Sequence, residues 1–219
     1  MQANTNQRES GLTLIEALIV VAVLTMLVVV FLLIPRGHYS NSRPQRIQCV
    51  NNLKQVGLSF RQWPTGSSDA YPMNVSITNG GAMEWTQQGI AWPVFQVLSN
   101  ELNTPKILVC PADKPRTAAK SFSEIANKEA VSYFVGLDAE EVRPQMFLTG
   151  DSDLGIGPAR FRSGIVNLNT NRLVNFSEDR HGKQGNVGLA DGSVQGYSNS
   201  RLRQALTETG NLENRIIIP

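Results

Sequence analysis

From Leu12 to Ile34 the chain is apolar on every face of a helix, and Glu16 is its only ionisable side chain. As an α-helix this run is about 34 Å long, enough to cross the hydrocarbon of a bilayer. A cleaved secretory signal would have a shorter core and a small-residue cleavage site, and "LLIPRGHY" offers none, so a retained anchor is expected. Pro35 and Gly37 interrupt the run, and residues 35–46 read as a linker. The pattern then takes a helical period with one polar face: Ile47, Val50, Leu53, Val56 and Phe60 predict an amphipathic helix that packs on a sheet and ends at Pro64 and Gly66.

Further on, "AWPVFQVLSNEL" predicts a short helix with Pro93 near its first turn and Thr104-Pro105 as its stop. "SFSE" has the form of a capping box before another short helix. "KILVC", "VSYFVGL", "QMFLTG", "RLVNF" and "RIIIP" read as strands, and "SRLRQALTETG" as a helix stopped by Gly210. In "NVGLADGSVQGY", Asp191-Gly192 predicts a two-residue type I′ turn that pairs Leu189 with Val194. The expected fold class is α+β: an N-terminal transmembrane helix over 12–34, then a domain over 47–219 in which a packed helix lies on a mostly antiparallel sheet.

Composition narrows the function. The net charge is +2 with no basic run, which excludes a nucleic-acid surface. There is no H-E-x-x-H, no G-x-S-x-G and no phosphate loop, and proline in "GIGP" rules out a dinucleotide fingerprint. The two cysteines, Cys49 and Cys110, are too few to expect a disulfide scaffold or a structural zinc site. They are either two buried thiols or one bridge, which would close a loop of about 60 residues and stabilise by about 4 kcal/mol. Pro111 and the apolar residues before Cys110 favour a buried or bridged sulfur over a reactive one.

Asp151, Asp153 and Gly155 have D-x-D-x-G spacing, which can turn alternate oxygens toward Ca²⁺ or can form a solvated acidic turn; the distal glutamate of an EF-hand loop is missing. Trp63, Trp85, Trp92 and Tyr71 either line a sugar-binding surface or belong to the core and its rim. His38 falls in the linker and is expected to be solvated. His181 and Asp191 could form a catalytic pair only by folding back, because the strand between them spans about 17 Å. The plainer expectation is that Asp191 makes a turn while His181 packs in its loop with Glu178 or Asp179 as partner. No catalytic site is expected.

Glu16 remains unexplained by these patterns. A carboxylate in a membrane helix costs several kcal/mol and usually has a function or a partner. A cut after Gly11 would give Leu12 a cationic amine about one turn from Glu16, and the same amine on a neighbouring copy could neutralise the carboxylate. The segment "GLTLIEALIVVAVLTMLVVV" resembles the prepilin-type cleavage and methylation signal of type IV pilins and type II secretion pseudopilins. The resemblance implies that a prepilin peptidase cuts after Gly11 and methylates Leu12, with residues 1–11 as leader and Glu16 as the assembly residue. Leu12 departs from the commoner phenylalanine. "HGKQGNVGLADG" is similar to the H-X9-DG motif of prepilin-type processing-associated proteins of planctomycete and verrucomicrobial type, with His181, Asp191 and Gly192 at the motif positions. "CVNNLKQVGL", "LVCPAD" and "SYFVG" are similar to other segments of such proteins.

These resemblances imply a pilin-like domain and a structural subunit without cofactors, apart from Ca²⁺ by analogy with pseudopilins. Its partners would be the peptidase, the inner membrane and other pilin or pseudopilin subunits, and its domain would be periplasmic. Arg36, Arg43 and Arg46 after the span would by themselves hold the domain in the cytoplasm, whereas the cleavage segment implies export. Two other readings stay open: an anchored periplasmic binding module that is processed but does not polymerise, and an anchored hydrolase using His181. Pro35, Gly37 and Pro44 favour the binding module, since they would break a rigid stalk.

Overall fold

The computed structural model describes residues 13–33, 42–63, 70–126 and 128–219. The chain divides into two units, residues 1–40 and 41–219. In the first, helix α1 runs Leu14–Leu33. It begins with a reciprocal cap: Thr13 N and Oγ1 both donate to Glu16 Oε2 at 2.9 Å, and Glu16 N donates to Thr13 Oγ1 at 3.4 Å. This is a capping box, which satisfies amide donors that the first turn leaves free. The Thr25 hydroxyl is also satisfied within the helix, by the carbonyls of Val21 and Ala22. The other side chains from Leu14 to Leu32 are apolar and exposed, and that stretch is long and apolar enough to span a membrane.

The second unit opens with α2, Ser42–Gln62. It starts inside the expected linker, because Pro44 sits in the first turn, where no amide partner is lost. Cys49, Leu53, Val56 and Phe60 are buried, while Ile47 is 59% exposed, so the buried stripe is narrower than the apolar pattern predicted. Shorter helices follow: α3 Met83–Gln87, α4 Trp92–Val97, α5 Ser99–Leu102 and, near the end, α6 Asn199–Glu208. Gly210, at φ 75°, follows α6 in the left-handed conformation that closes a helix.

The strands are β1 Tyr133–Gly136, β2 Phe147–Asp151, β3 Leu154–Ile156, β4 Ala159–Arg160, β5 Gly164–Asn169, β6 Val174–Phe176, β7 Gln184–Leu189, β8 Val194–Ser198 and β9 Glu213–Ile218. Six form one sheet in the order β5-β9-β1-β2-β7-β8, and three form another, β4-β3-β6. Every strand pairing among the described residues is antiparallel.

Alternation along the strands feeds two cores. Tyr133, Val135, Leu148 and Ile217 join Cys49, Leu53, Val56 and Phe60 of α2 on one face. Phe134, Phe147, Val187 and Ile216 join Leu202 and Leu206 of α6, with Leu154 and Phe176 of the small sheet, on the other. Burial on both faces explains why these strands read as continuous apolar runs in place of alternating ones.

Three local expectations are corrected. "KILVC" is not a strand: Pro105–Leu108 is a 3₁₀ turn capped by the Thr104 hydroxyl, which accepts from Lys106 N. "SFSE" gives only the 3₁₀ turn Phe122–Glu124; Ser121 does not cap it, and the Glu124 carboxylate accepts from Lys120 N instead. The β7–β8 turn is not a two-residue type I′ turn. Gly192 N donates to Leu189 O and Leu189 N donates to Ser193 O, so Ala190-Asp191-Gly192 forms a three-residue loop with Gly188 opposite Val194. Only Gly192, at φ 85°, takes the left-handed conformation.

Candidate functional site

The functional residues expected from sequence fall in different places. Gly11, Leu12 and His38 lie outside the described residues. Glu16 is held by Thr13 at the start of α1. Tyr71 is buried and donates from its hydroxyl to Ala190 O at 2.9 Å, so it belongs to the core. Trp63 and Trp92 pack against the same core, and Trp85, exposed, lies 6.2 Å from Trp92 between ring centroids.

The structure brings together four residues that the sequence keeps far apart. Cys49 comes from α2, Cys110 from the turn after Pro105–Leu108, Asp151 from the end of β2, and His181 from the turn before β7. One donor atom from each lies within 4.8 Å of all the others. Cys49 Sγ donates to Asp151 Oδ1 at 3.1 Å, Cys110 Sγ lies 3.3 Å from His181 Nε2, and that nitrogen is 3.6 Å from Asp151 Oδ2. The cysteines, weighed as a bridge or as two buried thiols, are free buried thiols here.

The surroundings hold these groups in place. Asn186 donates from both its backbone N and Nδ2 to Asp151 Oδ2, at 2.8 and 2.9 Å. Tyr133 Oη sits 3.5 Å from Cys49 Sγ. Arg180, next in sequence to His181, donates to Asp113 Oδ2 at 2.5 Å and to Ser132 O at 3.0 Å. Its Nη1 also lies 3.9 Å from Asp151 and 3.7 Å from Asp153.

Protonation in this pocket follows from burial and neighbouring charge. Burial pushes Asp151 up to about 6, with Cys110 and Asp153 adding to the effect and Arg180 opposing it. The hydrogen bond from Cys49, helped by His181, holds Cys110 down at about 5. Cys49 is pushed up by the same hydrogen bond and by burial. Burial alone would lower His181, but the Cys110 bond and the Asp151 charge raise it. The two shifts run in opposite directions and favour each other: His181 biases Cys110 toward the thiolate, and Cys110 biases His181 toward the imidazolium.

This geometry corrects one expectation. Glu178 and Asp179 do not partner His181; they pair with Lys183 and Arg160. The Arg180 guanidinium lies against the carboxylates of both Asp151 and Asp153, the pair with calcium-loop spacing. Asp153 accepts from Ser177 Oγ at 3.1 Å. His181 and Asp191 flank β7 at its two ends. Asp191 serves its own turn, accepting Ser193 N on Oδ1 at 2.8 Å, while its carbonyl accepts Arg61 Nη1 at 2.8 Å.

Sequence reasoning missed Arg180, Asp113, Tyr133 and Asn186. The available signal was that "CPAD" and "DRHG" each place a sulfur or imidazole within a few residues of an opposite or complementary charge. Comparison with protein-family models, curated proteins and solved structures finds no match for the chain.

Proposed function

We propose that the protein is an exported structural subunit resembling pilins and pseudopilins. Processing after Gly11 leaves a methylated Leu12, α1 holds the chain in the inner membrane, and the α+β domain stands in the periplasm. Assembly into a pilus or a secretion-type fibre then proceeds by packing α1 helices side by side. The carboxylate of Glu16 accepts the terminal amine of a neighbouring copy, and the peptidase performs the only chemistry.

The observation that carries this reading is a helix with no polar face and a single carboxylate in its first turn. Capping the helix would need only a polar acceptor such as glutamine, whereas a bundle of such helices with free amino termini can use and neutralise the charge. Glu16→Gln keeps the capping pattern and removes only the charge. The variant is expected to remain membrane-bound and to lose sedimentable or cross-linkable multimers; wild-type assembly by Glu16→Gln would contradict the proposal.

The alternative is an anchored binding module that does not polymerise. It is favoured by an open groove of about 320 Å³ lined by Asp113, Arg116, Asp153, Arg160 and Arg180. In that case Glu16→Gln leaves function unchanged, and substitution of the groove arginines abolishes ligand retention.

A further inference from the structure

We propose that Cys49, Cys110, Asp151 and His181 bind a divalent transition-metal ion of the zinc class. Two sulfurs, one imidazole nitrogen and one carboxylate oxygen make a four-ligand set of the kind that holds zinc; thiolates exclude calcium and magnesium, which take oxygen ligands.

Geometry supports the same ion. Metal–ligand bonds of about 2.0–2.3 Å in a tetrahedron require donor atoms about 3.3–3.8 Å apart. Cys110 Sγ and Asp151 Oδ2 lie 3.3 and 3.6 Å from His181 Nε2, Cys49 Sγ lies 3.1 Å from the other carboxylate oxygen, Oδ1, and one donor atom from each of the four residues lies within 4.8 Å of the rest. Shifts of a few tenths of an ångström bring the measured contacts onto those edges. The His181 side chain is 1% exposed and that of Asp151 is fully buried, so the ligands are already desolvated.

Charge closes the account. Binding releases the thiol protons, and two thiolates with a carboxylate around a divalent ion leave one negative charge. The Arg180 guanidinium, 3.9 Å from Asp151 Oδ1, offsets part of it. The two Asn186 bonds to Asp151 Oδ2 orient the carboxylate, as outer partners of metal ligands do. Four protein ligands leave no open position, so the ion is structural. It fastens α2 to the end of β2 and to both loops. It also gives the histidine of the H-X9-DG segment a chemical role that the turn residues do not share. The site is independent of whether the chain polymerises.

The test uses the full chain extracted in detergent without chelators. About one zinc per chain is expected by elemental analysis, with occupancy falling about tenfold or more in Cys110→Ser and His181→Ala. Should either variant fail to fold, the wild type decides alone. After chelation under reducing conditions, added Co²⁺ is expected to give the thiolate charge-transfer and tetrahedral d–d absorption bands. Absence of those bands overturns the site. So does equal metal in wild type and variants, or metal-free native protein in which Cys49 and Cys110 are joined as a disulfide.

Discussion

Arg61 donates from Nη1 to the carbonyl oxygen of Asp191 at 2.8 Å, tying the last turn of α2 to the tip of the β7–β8 hairpin. At the other end of β7, Arg46 of α2 hydrogen-bonds Gln184, and Cys49 meets Asp151 beside His181. The two ends of the H-X9-DG segment therefore clamp the two ends of one helix onto the sheet. In this arrangement the spacing of nine residues is set by the length of strand between the clamps, and no reaction needs to join His181 to Asp191.

Gly192 is required at its end of the clamp. Its φ of 85° is unfavourable for any L side chain, and an added Cβ would lie 3.1 Å from Arg61 Cδ. Gly192→Ala is expected to cost about 1–2 kcal/mol from the backbone alone and more as Arg61 is displaced. Thermal unfolding of the detergent-solubilised chain measures this, and an unchanged melting temperature would contradict it.

Arg180 is the cation shared by three buried aspartates, Asp113, Asp151 and Asp153, of which Asp113 also pairs with Arg116. Removing one partner from a buried charge network strands the others, so Arg180→Met should destabilise by about 3–5 kcal/mol. Asp153→Asn should cost much less, because Arg180 keeps Asp113 at 2.5 Å. Chemical denaturation of the two variants side by side checks the order.

Tyr71 supplies a pH dependence. Burial first, and the charge of Glu141 second, push its hydroxyl up to about 12 from the usual 10. A group raised on folding contributes stability that is complete below its unfolded value and lost as pH rises through the folded one. Stability should therefore fall by about 2 kcal/mol between pH 10 and 12 on account of Tyr71. Tyr71→Phe gives up the bond to Ala190, about 1 kcal/mol at neutral pH, and flattens that part of the alkaline slope. Tyr133, which burial also raises, keeps the remainder.

Thr13 separates capping from assembly at the start of α1. Thr13→Ala removes the two bonds of the threonine hydroxyl with Glu16, keeps the one from the Thr13 backbone N, and should cost about 1 kcal/mol of local helix stability while leaving the carboxylate charged. Multimers are expected to persist in Thr13→Ala and to vanish in Glu16→Gln. Equal loss in both would mean that the glutamate serves the cap.

Much of the fold was legible because it rests on local patterns. The all-round apolar run gave α1, and the spacing of Leu53, Val56 and Phe60 gave the buried face of α2. "KILVC" misled because proline and a threonine cap act over two residues and override apolar β-propensity. The Asp-Gly turn misled because the hydrogen bonds of Leu189 place the loop one residue earlier. The cysteine–aspartate–histidine cluster was out of reach for a different reason. Cys49 and Asp151 are 102 positions apart, and Cys110 and His181 are 71 apart, so only the sheet order joins them.

The central claim is that cleavage creates a positive amino terminus for Glu16 to meet. Intact mass and N-terminal sequencing of protein extracted from membranes of the native host test it most directly. The expected mature chain begins at N-methylated Leu12; material that still carries Met1 through Gly11 would rule the proposal out.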